Sequence, residues 1–265
     1  MGLFSSLGLS RLSFLVQKKY MWNKNKKNPP KKGKISKSFW DKEYKTSEHL
    51  TLSDEPSSDM VKFTHWAERN SEWFPFPKQG LVLDVGCGNG RNVIYMSETY
   101  KMRGVGFDIS EVAVNQASRT AGSKKLGIDF FVQSAKDTLP VADEKADVVL
   151  DMMTSHFLNH DEREKYLAEV VRVLKPFGWF FFKSFIIDED QHAQRLLKEN
   201  PGEETGTYIH PKIGVAEHVW GEEELRAYLE PNFTIHKFMK SHKHIKDGKP
   251  WKRRTVSVYA EKKRV

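Results

Sequence analysis

The chain holds a single cysteine, Cys87, among 265 residues, so no intrachain disulfide can form and a reducing compartment such as the cytoplasm is expected. It also lacks any apolar run long enough to cross a bilayer: Met1 to Val16 is the most apolar end and is broken by Gly8, Ser10, Arg11 and Ser13. No internal repeat is visible, and the histidines do not stand at metal-ligand spacing to a thiol or carboxylate, so no metal site is expected. Acid is missing from residues 1 to 37, which carry nine lysines and Arg11; residues 237 to 265 set 11 basic against two acidic residues, and the middle sets 22 basic against 33 acidic. The overall charge of +8 therefore describes the two ends, which could gather a polyanion such as RNA or simply be solvated.

What is present is a strand-like run, Leu81-Val82-Leu83, leading straight into Asp84-Val85-Gly86-Cys87-Gly88-Asn89-Gly90. Three alternate glycines let a backbone turn tightly and bring its N–H groups close to a ligand. A dinucleotide loop, G-x-G-x-x-G, needs a third small residue where this chain has Arg91. An acid two residues before the first glycine suits instead a cofactor with a cationic amino group. Cys87 between the glycines reads as a small space-filler.

From Leu81 onward, short apolar strands alternate with amphipathic helices, which predicts a parallel sheet covered on both faces. Strands are expected at 81–85, 103–108, 129–132, 147–151 and 179–183, with helices at about 90–100, 111–121 and 161–174, the last stopped by Pro176 and Gly178. Before them, residues 1–38 read as a basic, disordered tail and 39–77 as a helical cap, with Ser57 or Ser58 capping a helix whose apolar face is Met60, Phe63, Ala67 and Phe74. The core domain runs over 78–265. It contains an insert at about 188–221, too long for a plain connection and placed where substrates are chosen. A helix at 222–229, a strand at about 233–244, a turn at Asp247-Gly248 and a strand at 255–261 close the chain.

The D-x-G-x-G-x-G run and its surroundings, roughly residues 78 to 185, resemble the class I S-adenosyl-L-methionine-dependent methyltransferases, with a type 11 or type 25 domain as the nearest kind. Gly88-Asn89-Gly90-Arg91-Asn92 is also similar, over a short stretch, to tellurite-resistance and thiopurine-type enzymes. The resemblance implies a Rossmann-like α/β sheet of seven strands with an antiparallel last strand and helices on both faces. It implies S-adenosyl-L-methionine as cofactor, held by Asp84, Gly86, Cys87, Gly88, Asn89 and Gly90, with the Asp108 carboxylate on the ribose hydroxyls and Ile109 beside it. A helix N-cap is the structural alternative for Asp108. The acid that relatives carry after the third strand aligns with Ala135, which passes the adenine contact to Ser134 or Asp137, or to backbone N–H groups of Ala135 and Lys136. Asp151 ends the fourth strand, and in the resembled family the following stretch, here to Leu158, faces the transferable methyl; His156 is its candidate base, and Met152 and Met153 read as packing.

That stretch is not the Asn/Asp-Pro-Pro-Tyr/Phe sequence of enzymes that methylate exocyclic base amines. Trp40, Tyr44 and His49 resemble an aromatic lid over the cofactor, and Tyr208, His210, His218 and Trp220 are candidates for an acceptor pocket. Methyl transfer to a small molecule is the leading expectation. RNA methylation using the basic ends, including Trp251-Lys252-Arg253-Arg254, is the second, and a non-catalytic cofactor-binding module the third.

Overall fold

In the computed structural model of this chain, residues 37–48, 52–71, 75–242, 245–246, 249–250 and 252–264 are described; the basic tail, His49, Phe74, His244, the Asp247-Gly248 turn and Trp251 lie outside them. Strand β1 (Leu81–Val85) is the pivot of the molecule. It pairs in parallel with β2 (Arg103–Asp108) on one side and with β4 (Ala146–Met152) on the other, so the strand order reverses across it. β3 (Ile128–Val132) pairs beyond β2, and β5 (Leu174–Phe185) beyond β4. The full sheet has seven strands in the order β3-β2-β1-β4-β5-β11-β8, where β8 is Phe233–Lys240 and β11 is Thr255–Lys262. β11 runs antiparallel between β5 and β8. The expected doubly covered sheet with an antiparallel last strand is what the chain forms.

β5 explains why its sequence reads as a nearly unbroken apolar run. Both of its faces are covered, so Phe180, Phe181 and Phe182 are all fully buried. Phe181 stacks on Phe63 at 4.9 Å between ring centroids, in a layer with Tyr259 and Trp179. Phe63 comes from α2 (Ser58–Asn70), whose buried residues Met60, Phe63, Thr64 and Ala67 recur at helical spacing; α3 (Arg91–Tyr100) covers the same face. Phe180 and Phe182 point the other way, toward α5 (His160–Val173) and α7 (Glu222–Leu229). Each fully buried phenyl ring of this kind contributes about 1.5–3 kcal/mol.

Several boundaries differ from the sequence reading. α5 ends at Val173, before Pro176, because Leu174 already pairs with Ala146; β5 then carries Pro176 and Gly178 through an irregular register. Ser57 stands at the N-cap of α2 without a side-chain cap bond, and that helix stops at Asn70. β8 ends at Lys240, short of the expected 244, and is followed by the short strands β9 (Ile245–Lys246) and β10 (Lys249–Pro250).

The insert is not a bare loop. Asp190 caps α6 (Gln191–Glu199) by accepting from the His192 and Ala193 amides, and β6 (Thr207–Ile209) pairs with β7 (Ala216–His218) as a hairpin. These elements build a small apolar cluster of their own, with Ala193, Leu196, Tyr208 and Val219 packed on Phe185 and Met153 at the ends of the sheet.

Candidate functional site

The glycine loop leaves β1 at the point where strand order reverses, which in open α/β sheets is the place for a ligand. Gly86, Gly88 and Gly90 all adopt positive φ (62°, 56° and 79°), and the Cys87 amide continues the ladder by donating to Phe107 O at 2.9 Å. A Cβ at Gly86 would lie 2.2 Å from Thr154 Oγ1, and one at Gly88 would lie 2.3 Å from the Tyr44 hydroxyl. Neither position can take another residue without displacing a neighbour.

Asp108, at the end of β2, is buried and divides its carboxylate between two amides: Oδ2 accepts from Gly88 N at 3.0 Å and Oδ1 from Ser110 N at 2.8 Å. It is not the cap of the next helix. That cap is Ser110, whose hydroxyl accepts from Ala113 N at the start of α4 (Glu111–Ser123) and donates to Asp41 Oδ1 at 2.8 Å. Asp41 belongs to α1 (Lys37–Thr46), which the Gln116 side chain also holds by donating to Tyr44 O at 3.1 Å. α1 is thereby strapped over the glycine loop, with Phe39, Trp40 and Tyr44 on the cavity wall.

The cavity beneath this strap measures about 1080 Å³. Among the residues expected from sequence, it is lined by Gly86, Cys87, Gly88, Asn89, Asp108, Ile109, Ala135, Lys136 and His156. Four others are not on its wall. Asp84 lies below the loop, fully buried, accepting from Val93 N at 3.3 Å; burial raises its carboxyl to about 7. Gly90 is buried at the N-terminus of α3 against Ala117 and Phe130. Asp137 is exposed and closes its own loop through Ser134 N. Asp151 is fully buried, with Oδ1 accepting from Thr154 N at 2.9 Å and Ser155 N at 3.3 Å, while Oδ2 has no hydrogen-bond partner; burial raises this carboxyl too.

Met152 and Met153, expected to be packing residues, both line the cavity, and Met153 does so at a φ of 74°. His156 follows them on a single 3₁₀ turn, Ser155–Phe157, with its ring 3.9 Å from Phe157 and 5.1 Å from Phe185. It is buried, its Nδ1 is unpartnered, and burial, with Arg253 and His218 nearby, holds it well below the ordinary imidazole value. A neutral imidazole at that place can accept a proton.

The roof over His156 is formed by the insert. Of the insert residues singled out in the sequence, His210 reaches the cavity, whereas Tyr208, His218 and Trp220 are buried beside it. Sequence reading missed His192, Arg195 and Leu196 on α6, and Lys212. The signal for α6 was present: an Asp cap at 190 followed by Ala193, Leu196 and Leu197. Arg253 and Arg254, expected to face a polyanion, turn inward. Arg253 lies 3.6 Å over the Phe185 ring and bonds to Tyr208 and the buried Glu217, and Arg254 is buried against Asp188 O, Glu189 and Ser241 O. Both guanidinium groups are thus paired within the fold. No helix of the described residues is long and apolar enough to cross a membrane.

A methyltransferase-domain family profile matches residues 82–178. Phthiotriol/phenolphthiotriol dimycocerosates methyltransferase 1 of Mycobacterium ulcerans is 34% identical over 134 residues, half of this chain and 46% of that protein. The chain thus spans about half the length of the curated relatives it matches. Among solved structures, the PH0226 protein of Pyrococcus horikoshii is 25% identical with a TM-score of 0.59 over 78% of this chain and 90% of that one. The didemethyltoxoflavin N1-methyltransferase of Burkholderia thailandensis, solved with S-adenosylhomocysteine, has the same fold at 16% identity: TM-score 0.61, 99% of this chain and 94% of that one.

Proposed function

We propose that this chain, which belongs to the class I S-adenosylmethionine-dependent methyltransferase superfamily, transfers a methyl group from S-adenosylmethionine to a small-molecule acceptor lodged beneath the insert. The observation that carries this reading is the cradle at Gly86 and Gly88, bound to Asp108 and opening into a cavity of about 1080 Å³. Ligand pockets of small molecules span about 300–1,000 Å³, so this one has room for a cofactor and an acceptor side by side.

The two ends of the cavity suit these two occupants. Asp108 retains lone pairs after accepting two amides and can take the hydroxyls of a ribose; Ile109, Ala135 and Lys136 flank the space for a base. Asn89 donates to Ser53 O and Asp54 Oδ1, holding the far wall of the loop. Asp84 acts from beneath the glycines, where its carboxylate attracts a cationic ammonium group without touching solvent. Asp151 shapes the turn that presents Thr154 and His156, and Thr154 in turn donates to Val85 O at 3.0 Å. The cofactor, when bound, supplies a methyl group already activated on sulfur, so the protein's task is alignment and exclusion of water. His156, kept neutral, takes the proton from an acceptor hydroxyl or amine.

Calorimetry with S-adenosylhomocysteine, followed by incubation with radiolabelled S-adenosylmethionine and small-molecule extracts, tests this reading. Micromolar binding and one labelled small product are expected. A protein that binds neither compound overturns it.

A further inference from the structure

The acceptor end of the cavity is chemically lopsided. Its floor is apolar, made by Phe157, Phe185, Leu196 and Ile213. Its charged groups are Arg195, Lys212 and Arg253 against Glu199 and Glu217. Glu217 is buried and saturated by Arg253 and the Tyr208 hydroxyl, so that pair is internally neutral and forms a stiff wall. Glu199 meets Arg195 only at 3.9 Å, with both side chains more than half exposed, a contact of little energetic weight. Lys212 has no ion-pair partner among the described residues.

His210 adds a third donor. Its Nδ1 lies 3.3 Å from Lys212 N and 3.4 Å from Ile213 N, both of which donate to it, so the ring proton sits on Nε2. Burial pushes His156, His192 and His210 below the ordinary value; Arg195 adds to this at His192 and Lys212 at His210, where Glu217 acts the other way. Ammonium, guanidinium and an imidazole N–H thus line a greasy chamber whose one carboxylate outside the Arg253–Glu217 pair is the exposed Glu199, which leaves positive charge in excess.

We propose that the acceptor is an apolar carboxylic acid, anchored through its carboxylate by Lys212, Arg195 and the His210 Nε2–H, with its hydrocarbon or aromatic body on Phe157, Phe185 and Leu196. Every cation in this anchor lies outside residues 82–178, so the selectivity belongs to the insert and not to the shared domain. The inference rests on the methyl-transfer reading for the position of the donor, and it names the class of acceptor that reading leaves open.

The test uses the full chain saturated with S-adenosylhomocysteine. Salicylate, cinnamate, indoleacetate and decanoate are each titrated against their primary amides, which keep the shape and lose the charge. At least one acid should bind at least tenfold tighter than its amide, and its affinity should fall as salt is raised. Lys212→Ala with Arg195→Ala should remove that preference, and since both side chains are exposed the fold should survive, as an unchanged melting temperature and unchanged S-adenosylhomocysteine affinity would report. The proposal fails if no acid binds, if acids and amides bind alike, or if the double variant keeps the preference. Failure of S-adenosylhomocysteine itself to bind would instead sink the methyl-transfer reading.

Discussion

Asp108 accepts the Gly88 amide at 3.0 Å, and this one bond locks the middle of the glycine loop to the end of the neighbouring strand. The same carboxylate is the proposed ribose acceptor, so its removal should be felt twice. Asp108→Ala deletes charged hydrogen bonds worth about 1.5–3 kcal/mol each, and S-adenosylhomocysteine affinity should drop about 100-fold or more by calorimetry. Asp108→Asn is a sharper probe. An amide can present oxygen to Gly88 or to Ser110 but not to both, so it too should weaken binding, though less. Unchanged affinity in the alanine variant would reject the ribose role.

Asp84 makes a prediction about pH. Its folded pKa of about 7 lies above the ordinary 3.8, so between those values the folded chain holds a proton that the unfolded chain has released. Stability from this group is therefore fully present at low pH, is lost as pH rises from about 4 to about 7, at up to about 1.4 kcal/mol per unit, and is flat above. Asp84→Asn keeps an oxygen for the Val93 amide and removes the charge. At pH 8 without cofactor the variant should melt several degrees above the parent; at pH 5 that advantage should shrink to about a third. An equal difference at both values would mean that Asp84 is not a buried charge. Cofactor affinity should move the opposite way, falling in the variant, since the ammonium loses its counter-charge.

His156 is held below its ordinary value, so it should remain deprotonated and competent as a base at pH 6. The rate profile of the parent is then expected to lack an acid limb between pH 6 and 7. His156→Gln should lower kcat by about 10²–10⁴ with KM little changed, the range for loss of a general base. If kcat stays within threefold, the acceptor needs no base and His156 is part of the chamber wall alone.

The fold was readable because its signals are local and strong. The alternation of Leu81–Val85, Arg103–Asp108 and Ala146–Met152 with amphipathic helices needs no tertiary information to be seen. The site was readable where backbone demands glycine or where a strand ends on an acid. It was less so where a side chain's direction depends on distant partners. Nothing local says that Arg253 turns inward, because its partners Glu217 and Tyr208 are 36 and 45 residues away. Asp84 and Asp151 look identical in sequence to cavity residues, yet both are buried off its wall, with Asp84 Oδ2 accepting from the Val93 amide and Asp151 Oδ1 from the Thr154 and Ser155 amides. Met153 lines the wall with its backbone at positive φ, a conformation that sequence does not favour for methionine.

The start of α5 links stability to the cavity wall at Lys136, the proposed adenine side. Asn159 Oδ1 accepts from Glu162 N, and Glu162 Oε2 accepts from Asn159 N, each at 2.9 Å, a reciprocal capping box. The other oxygen of Glu162 pairs with Lys136 Nζ at 2.7 Å, and Lys136 lines the cavity. Asn159→Ala should cost about 1 kcal/mol, the usual value of an N-cap, and lower the melting temperature by about 2–4 °C in a chain of this size. The Lys136 pair is half exposed on the lysine side and contributes little by itself, so S-adenosylhomocysteine affinity should change by less than about threefold. Glu162→Gln separates the two functions, because the amide oxygen can still accept from Asn159 N while the attraction to Lys136 is lost. If that variant weakens cofactor binding tenfold at unchanged melting temperature, Lys136 is positioned by Glu162, and the cap and the adenine loop act as one unit.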